Sequence, residues 1–342
     1  VIELLIVNAP RDEILLDLNP AQIEAVTHRD GPLLVFAGAG SGKTRVLTYR
    51  VAYLIGRYRV SPRSILAVTF TNKAANEMRE RIERLIGSDA RSMWVGTFHS
   101  RAAMMLRFDG DSIGLDTRFV IFDDGDQLAL VKECIAQLGL PERQYAPRGV
   151  LAAISRAKES LLTPDQFERA AQGLRDQEIA TVYRLYQDKL AENRALDFDD
   201  LIMYTVRMFK ERPDVLERYQ DRFRYVLVDE YQDINYAQYE LVRLLTERDR
   251  NLCVVGDDDQ SIYGWRGADI RIILAFEHDF PDAKIVKLER NYRSTRTILD
   301  AAWNVVKNNQ RRHEKKLWTQ KGEGAALQIV ECGDEHEEAE YI

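Results

Sequence analysis

The segment AGAGSGKT at residues 37–44 limits what this chain can fold into more than any other stretch. It follows an apolar run at 33–37 and precedes a helical periodicity from about 44 to 55, so it reads as strand, glycine loop, helix. A phosphate-binding loop needs that context. The small residues Ala37, Gly38, Ala39, Gly40, Ser41 and Gly42 let backbone N–H groups come close to phosphate oxygens, and the helix N-terminus adds a favourable dipole. Lys43 is spaced to reach the β- and γ-phosphates, and Thr44 to place its hydroxyl on Mg2+. The strict pattern has Gly where Ala37 stands, a mild departure because alanine is also small. A glycine-rich turn beside a surface lysine is the plainer alternative, and the flanking strand and helix disfavour it.

The apolar run YVLV at 225–228 ends in Asp229 and Glu230. Two adjacent acids after a strand are common on protein surfaces. With a phosphate loop upstream they supply what ATP hydrolysis needs: Asp229 to hold the magnesium shell, Glu230 to orient and deprotonate the attacking water. Further short strands are predicted at 64–69, 93–97, 252–255 and 285–288, with helices over 72–86 and from near His99. Alternating strands and helices predict an α/β fold with a mostly parallel sheet. Between about 124 and 220 the periodicities are helical, as at 127–138, 150–160, 164–171 and 177–192. The simplest organisation is one α/β domain interrupted by a mainly helical insertion near 109–197. After Arg290 come a helix around 297–308, a basic run at 311–316, a strand in GEGAALQIV at 322–330, and the opening turn of another helix in GDEHEEAEYI at 333–342.

Composition bears on the partner. The net charge of -7 argues weakly against nucleic acid, but a local groove can be positive on an acidic protein. The three cysteines, Cys134, Cys253 and Cys332, lack metal-ligand spacing and suggest a reducing, cytoplasmic setting; Cys134 and Cys253 sit in apolar patterns and read as core. No apolar run reaches membrane-spanning length, so no membrane partner is expected. The opening VIELLIVNAP is too short, and carries an acid, for a signal peptide; Val1 in place of Met fits a processed product, a fragment or an unusual start.

Seven segments fall in a specific order: LNPAQ at 18–22, AGAGSGKT at 37–44, LAVTFTNKAANEMRERI at 66–82, GTFHS at 96–100, VDEYQD at 228–233, VVGDDDQSIYGWRGAD at 254–269 and LERNYRST at 288–295. In this the chain resembles the UvrD/PcrA/Rep group of superfamily 1 DNA helicases over nearly its whole length. The resemblance implies a P-loop NTPase with a RecA-like sheet. Residues 1–108 and 198–290 would be the two parts of the ATP-binding motor domain, 109–197 the helical insertion, and 291–342 the hinge and the start of a second motor domain. By the same resemblance Gln22 reads the adenine base, Tyr292 stacks on it, Gln260 senses the γ-phosphate and links it to the DNA side, and Arg293 contacts the γ-phosphate. A forked cation at Arg293 would stabilise charge on the transferred group. The bland alternatives are a helix-capping role for Gln22, a core role for Tyr292 and a surface ion pair for Arg293.

The resemblance also implies a single-stranded DNA track. Phe70 with Thr71 and Asn72 follows one strand end, His99 lies in the next such loop, and Tyr263 and Trp265 follow the GDDDQ segment. Aromatic rings stack on bases without reading their identity, which suits a translocating motor. Packing is the alternative for Tyr263, Trp265 and His99. The implied activity is ATP-dependent, Mg2+-assisted movement on single-stranded DNA or at a duplex–single-strand junction, 3′ to 5′ by inheritance from the group, with repair or replication proteins as partners. Only the beginning of the second motor domain is expected in 342 residues, which implies binding of ATP or DNA with low turnover. An ATP- and nucleic-acid-binding module without productive hydrolysis, and the motor part of a helicase–nuclease, stay open as alternatives.

Overall fold

The computed structural model describes residues 13–309, 312–313 and 315–342, with Arg266 described by its backbone alone. The reading of the first ten residues, and positions 311 and 314 of the basic run, lie outside the described residues. Six strands form the main sheet: β1 (Leu33–Ala37), β2 (Ile65–Thr69), β3 (Trp94–Thr97), β6 (Tyr225–Val228), β7 (Leu252–Gly256) and β8 (Lys284–Leu288). Their order is β3-β2-β6-β7-β1-β8, and every pairing is parallel. Both faces of a parallel sheet are covered, so its strands read as continuous apolar runs. All five residues of β1, β2 and β7 are buried. Alternate side chains then serve opposite cores: Leu34 and Phe36 join one cluster, Leu33, Val35 and Ala37 the other.

The helices of the α/β part include α1 (Pro20–Thr27), α2 (Lys43–Gly56), α3 (Asn72–Ile86) and α4 (Phe98–Asp109), then α9 (Phe198–Glu211), α10 (Pro213–Arg222) and α11 (Tyr236–Thr246). Short polar side chains start several of them by accepting orphan backbone N–H groups: Asn19 for α1, Thr71 for α3, Thr97 for α4, Asp197 for α9 and Asn235 for α11. Between α4 and α9 lie α5 (Asp124–Gln137), α6 (Pro147–Glu159), α7 (Pro164–Ala170) and α8 (Leu174–Glu192). They pack around a third core that includes Val131, Cys134, Ile154 and Tyr183. Two strands, β4 (Val120–Ile121) and β5 (Ala195–Leu196), pair in parallel across the root of this helical block. Among the described residues no helix is long and apolar enough to cross a membrane.

One predicted element is absent. Residues 322–330 form no strand. Ile329 is 99% exposed and Leu327 56%, so the apolar side chains have no layer to pack on and the backbone no neighbour to pair with. The flanking helices do form, at Arg296–Val306 and Glu335–Tyr341.

Candidate nucleotide and nucleic-acid site

The phosphate loop leaves the C-terminal end of β1 and turns into α2. Gly40 and Gly42 have φ of +69° and +98°, a region that other residues enter at a cost, and a Cβ on Gly42 would sit 2.8 Å from Gln22 Nε2. Ser41 Oγ donates to Gly38 O at 2.7 Å and closes the loop on itself. The Lys43 ammonium lies 2.5 Å from Glu230 Oε2, so the ends of β1 and β6 meet. Glu230 has φ +51°, left-handed for a residue with a side chain. Beside it Asp229 is 4% exposed, and its carboxylate accepts the Glu230 N–H at 3.0 Å. Burial first, then the Glu230 charge, push Asp229 up to about 7, against the pull of Lys43. A cation beside this carboxyl would offset the burial that raises it. Asp229 and the Thr44 hydroxyl, on the first turn of α2, could hold a divalent one.

The loop is braced from two sides. Gln22, 1% exposed, donates from Nε2 to Ser41 O at 3.0 Å and accepts the Asn19 N–H through Oε1 at 3.1 Å. It therefore caps α1 and holds the phosphate loop at once, leaving one N–H and one lone pair uncommitted. From the other side Asn291 Nδ2 donates to Ala39 O at 2.6 Å, while Asn291 Oδ1 accepts the N–H groups of Arg293 and Ser294. Tyr292 N donates to Gly40 O at 2.9 Å, and its ring is exposed rather than core. The hydroxyl of that ring accepts from Asn19 Nδ2 at 2.8 Å. Arg293 is exposed beside Gly40, and its guanidinium has no ion-pair partner among the described residues. Leu317 closes over Gly38, where a Cβ would clash with its methyls.

Among the described residues the Gln260 amide bonds the Asp257 carboxylate, and it makes no hydrogen bond to Glu230. The bridge is made by Gln232, whose Nε2 donates to Glu230 and to Asp233, each at 2.9 Å, and whose Oε1 accepts the Asp257 N–H at 2.9 Å. Asp257, Asp258 and Asp259 gather around Lys315 Nζ, which lies 2.8 Å from Asp257 and 3.0 Å from Asp259 and also contacts Asp258. Although burial opposes it, hydrogen bonds from His313 and Lys315 hold Asp258 well below the usual carboxylate range. Lys315 thus fills the acidic turn with its own cation.

The expected DNA-facing aromatics cluster. Phe70 and Tyr263 stack at 5.0 Å, and Tyr263 lies 6.4 Å from Trp265. Phe70, His99 and Trp265 line one cavity of about 330 Å3 together with Phe198, which meets His99 edge-on at 6.1 Å. Burial lowers His99 to about 4, so its ring is neutral at pH 7. Tyr263 backs this wall through Phe70 and is not in the cavity lining. Thr71 caps α3 and Asn72 is exposed at its first position; neither reaches the cavity. Gln232, Asn291 and Phe198 escaped the sequence reading, although the first two sit inside quoted motifs, VDEYQD and LERNYRST. Only the fold brings Asn291 to the loop at Ala39.

Residues 18–281 match the family model described as UvrD/REP helicase N-terminal domain, and residues 286–342 that of UvrD-like helicase C-terminal domain. The chain is 51% identical over 331 residues to the ATP-dependent DNA helicase PcrA of Bacillus subtilis, covering 97% of this chain and 45% of that protein. It is also 51% identical, over 329 residues, to the proteins of that name from Staphylococcus epidermidis and Staphylococcus aureus, covering 96% of this chain and 45% of each. The chain therefore spans less than half the length of these curated relatives.

Proposed function

The chain belongs to the UvrD/REP helicase family, and from that premise we propose that it supplies the ATP-hydrolysing face and part of the single-strand track of a DNA-translocating motor. The observation that carries the reading is the meeting of Lys43 with Glu230, next to the buried Asp229, with Arg293 beside Gly40 of the same loop and without an ion-pair partner among the described residues. Backbone N–H groups from 38 to 43 and the α2 N-terminus cradle the phosphates of ATP. Thr44 and Asp229 would hold Mg2+, which neutralises phosphate charge when bound. Phosphate oxygens compete for the Lys43 ammonium and draw it off Glu230. The freed Glu230 carboxylate, kept in place by Gln232, accepts a proton from the attacking water. Arg293 offers a second cation to charge developing on the transferred group. Tyr292 stacks on adenine and Gln22 supplies its remaining N–H and lone pair to the base edge.

Gln232 also supports a link to DNA, because it joins Glu230 to the turn that carries Gln260, Tyr263 and Trp265. We take residues 109–197 as an insertion that abuts this track. The substrate class is single-stranded DNA or a junction, in the cytoplasm, alongside repair or replication proteins. The test is ATP hydrolysis with and without oligothymidylate in wild type and Glu230→Gln. The expected outcome is retained nucleotide binding with turnover reduced about 100-fold or more. Wild-type-like, DNA-stimulated turnover in E230Q would refute the assignment.

A further inference from the structure

The cavity beside the aromatic cluster is built from two sources. Phe70, His99 and Trp265 come from loops and helix ends of the α/β part, while Glu159 comes from the end of α6 in the helical block. Its polar wall is acidic: Glu159, Asp199 and Asp233. A carboxylate-lined pocket repels phosphate and accepts N–H groups. The strand's bases, not its backbone, suit this interior, with the exposed Arg156 at the rim for the phosphates.

The three carboxylates are not equivalent. Asp199 accepts the Ser155 hydroxyl at 2.6 Å, and the Asn235 side chain shares the lining with Glu159. Asp233 is 7% exposed and accepts from Gln232 through Oδ2, but its Oδ1 has no hydrogen-bond partner among the described residues. A buried acceptor left unmade is costly, and a ligand donor would relieve it. Resting on the single-strand reading above, we propose that Asp233 reads strandedness: its Oδ1 accepts an N–H from the pairing edge of an unpaired base held among Phe70, His99, Phe198 and Trp265.

The chemistry is tolerant of sequence and strict about pairing. Each base carries at least one N–H on that edge: N6 of adenine, N4 of cytosine, N1 and N2 of guanine, N3 of thymine. One acceptor therefore serves all four. In a duplex the pairing edge faces the complementary base: the imino N–H groups are engaged, and the amino groups keep only an N–H that points into a groove, so the edge itself is closed to Asp233. Stacking on the ring walls holds the base without regard to its identity. Asp233 is also joined through Gln232 to Glu230, so an occupied pocket and the hydrolytic carboxylate share one hydrogen-bonded chain.

The experiment compares two oligomers of about 16 nucleotides, one of thymidine and one of N3-methylthymidine, which keeps the phosphates and the stacking face but lacks the donor. Binding is read by fluorescence anisotropy on the whole chain, wild type and Asp233→Ala. Wild type should bind the methylated strand about tenfold more weakly. D233A should bind both alike, at the level wild type shows for the methylated strand. Equal wild-type affinities would overturn the proposal without touching the function proposed above, as would an undiminished preference in D233A. No binding of either strand by wild type would refute the single-strand reading itself. The wild-type comparison stands even if D233A fails to fold.

Discussion

Lys43 and Glu230 hold each other across 187 positions of sequence, and single side chains of this kind set the chemistry of the site. The phosphate loop and the acid pair were legible because loop geometry and an apolar strand fix their neighbours locally. Gln232 and Asn291 were not, because nothing near them in sequence announces their partners at Asp257 and Ala39. Glu159 carries a prediction at this scale. Burial first, and the Asp199 charge second, push it up to about 7 from 4.5. The folded state thus keeps a proton that the unfolded chain releases, so stability falls as pH rises between about 4.5 and 7, and the deficit is complete above that. Glu159→Gln should therefore raise the thermal midpoint at pH 8 and leave it nearly unchanged at pH 4. Equal shifts in thermal unfolding at both pH values would contradict this origin.

Elements were legible where a run of side chains had one environment throughout. β1, β2 and β7 are buried along their whole length and read as unbroken apolar runs. The two-residue strands β4 and β5 are too short for any periodicity to show. Residues 322–330 have strand-like composition but no partner strand, and pairing rather than composition makes a strand. The joint between the helical block and the α/β part was also invisible in sequence. There Lys158 on α6 is wholly buried, 2.6 Å from Asp197 and 2.8 Å from Asp200 at the start of α9. Burial alone would neutralise it, but Asp197 and then Asp200 reverse that and hold the ammonium charged. Lys158→Met strands two buried carboxylates and should cost about 3–5 kcal/mol in urea unfolding. Adding Asp197→Asn and Asp200→Asn should recover a good part of that loss. A loss below about 1 kcal/mol in K158M would show that the ion cluster does not hold the joint together.

At the scale of the molecule, the parallel α/β class followed from alternating strands and helices, whereas the order of strands did not. β6, far along the chain, lies between β2 and β7, and only this order carries its acid pair to the loop after β1. Ligands of open parallel sheets bind outside the carboxyl ends of the strands, where the order reverses direction. That arrangement lets the carboxyl end of the sheet present the phosphate loop and Asp229, with the aromatic cavity alongside. The central claim is that Lys43, Asp229 and Glu230 face one magnesium-nucleotide cavity. The most direct measurement is calorimetric titration with a non-hydrolysable ATP analogue, in magnesium and in EDTA, for wild type and Asp229→Asn. One site per chain is predicted, tightened by magnesium in wild type, with D229N about tenfold weaker in magnesium and equal to wild type in EDTA. Magnesium-dependent affinity unchanged in D229N would contradict the account.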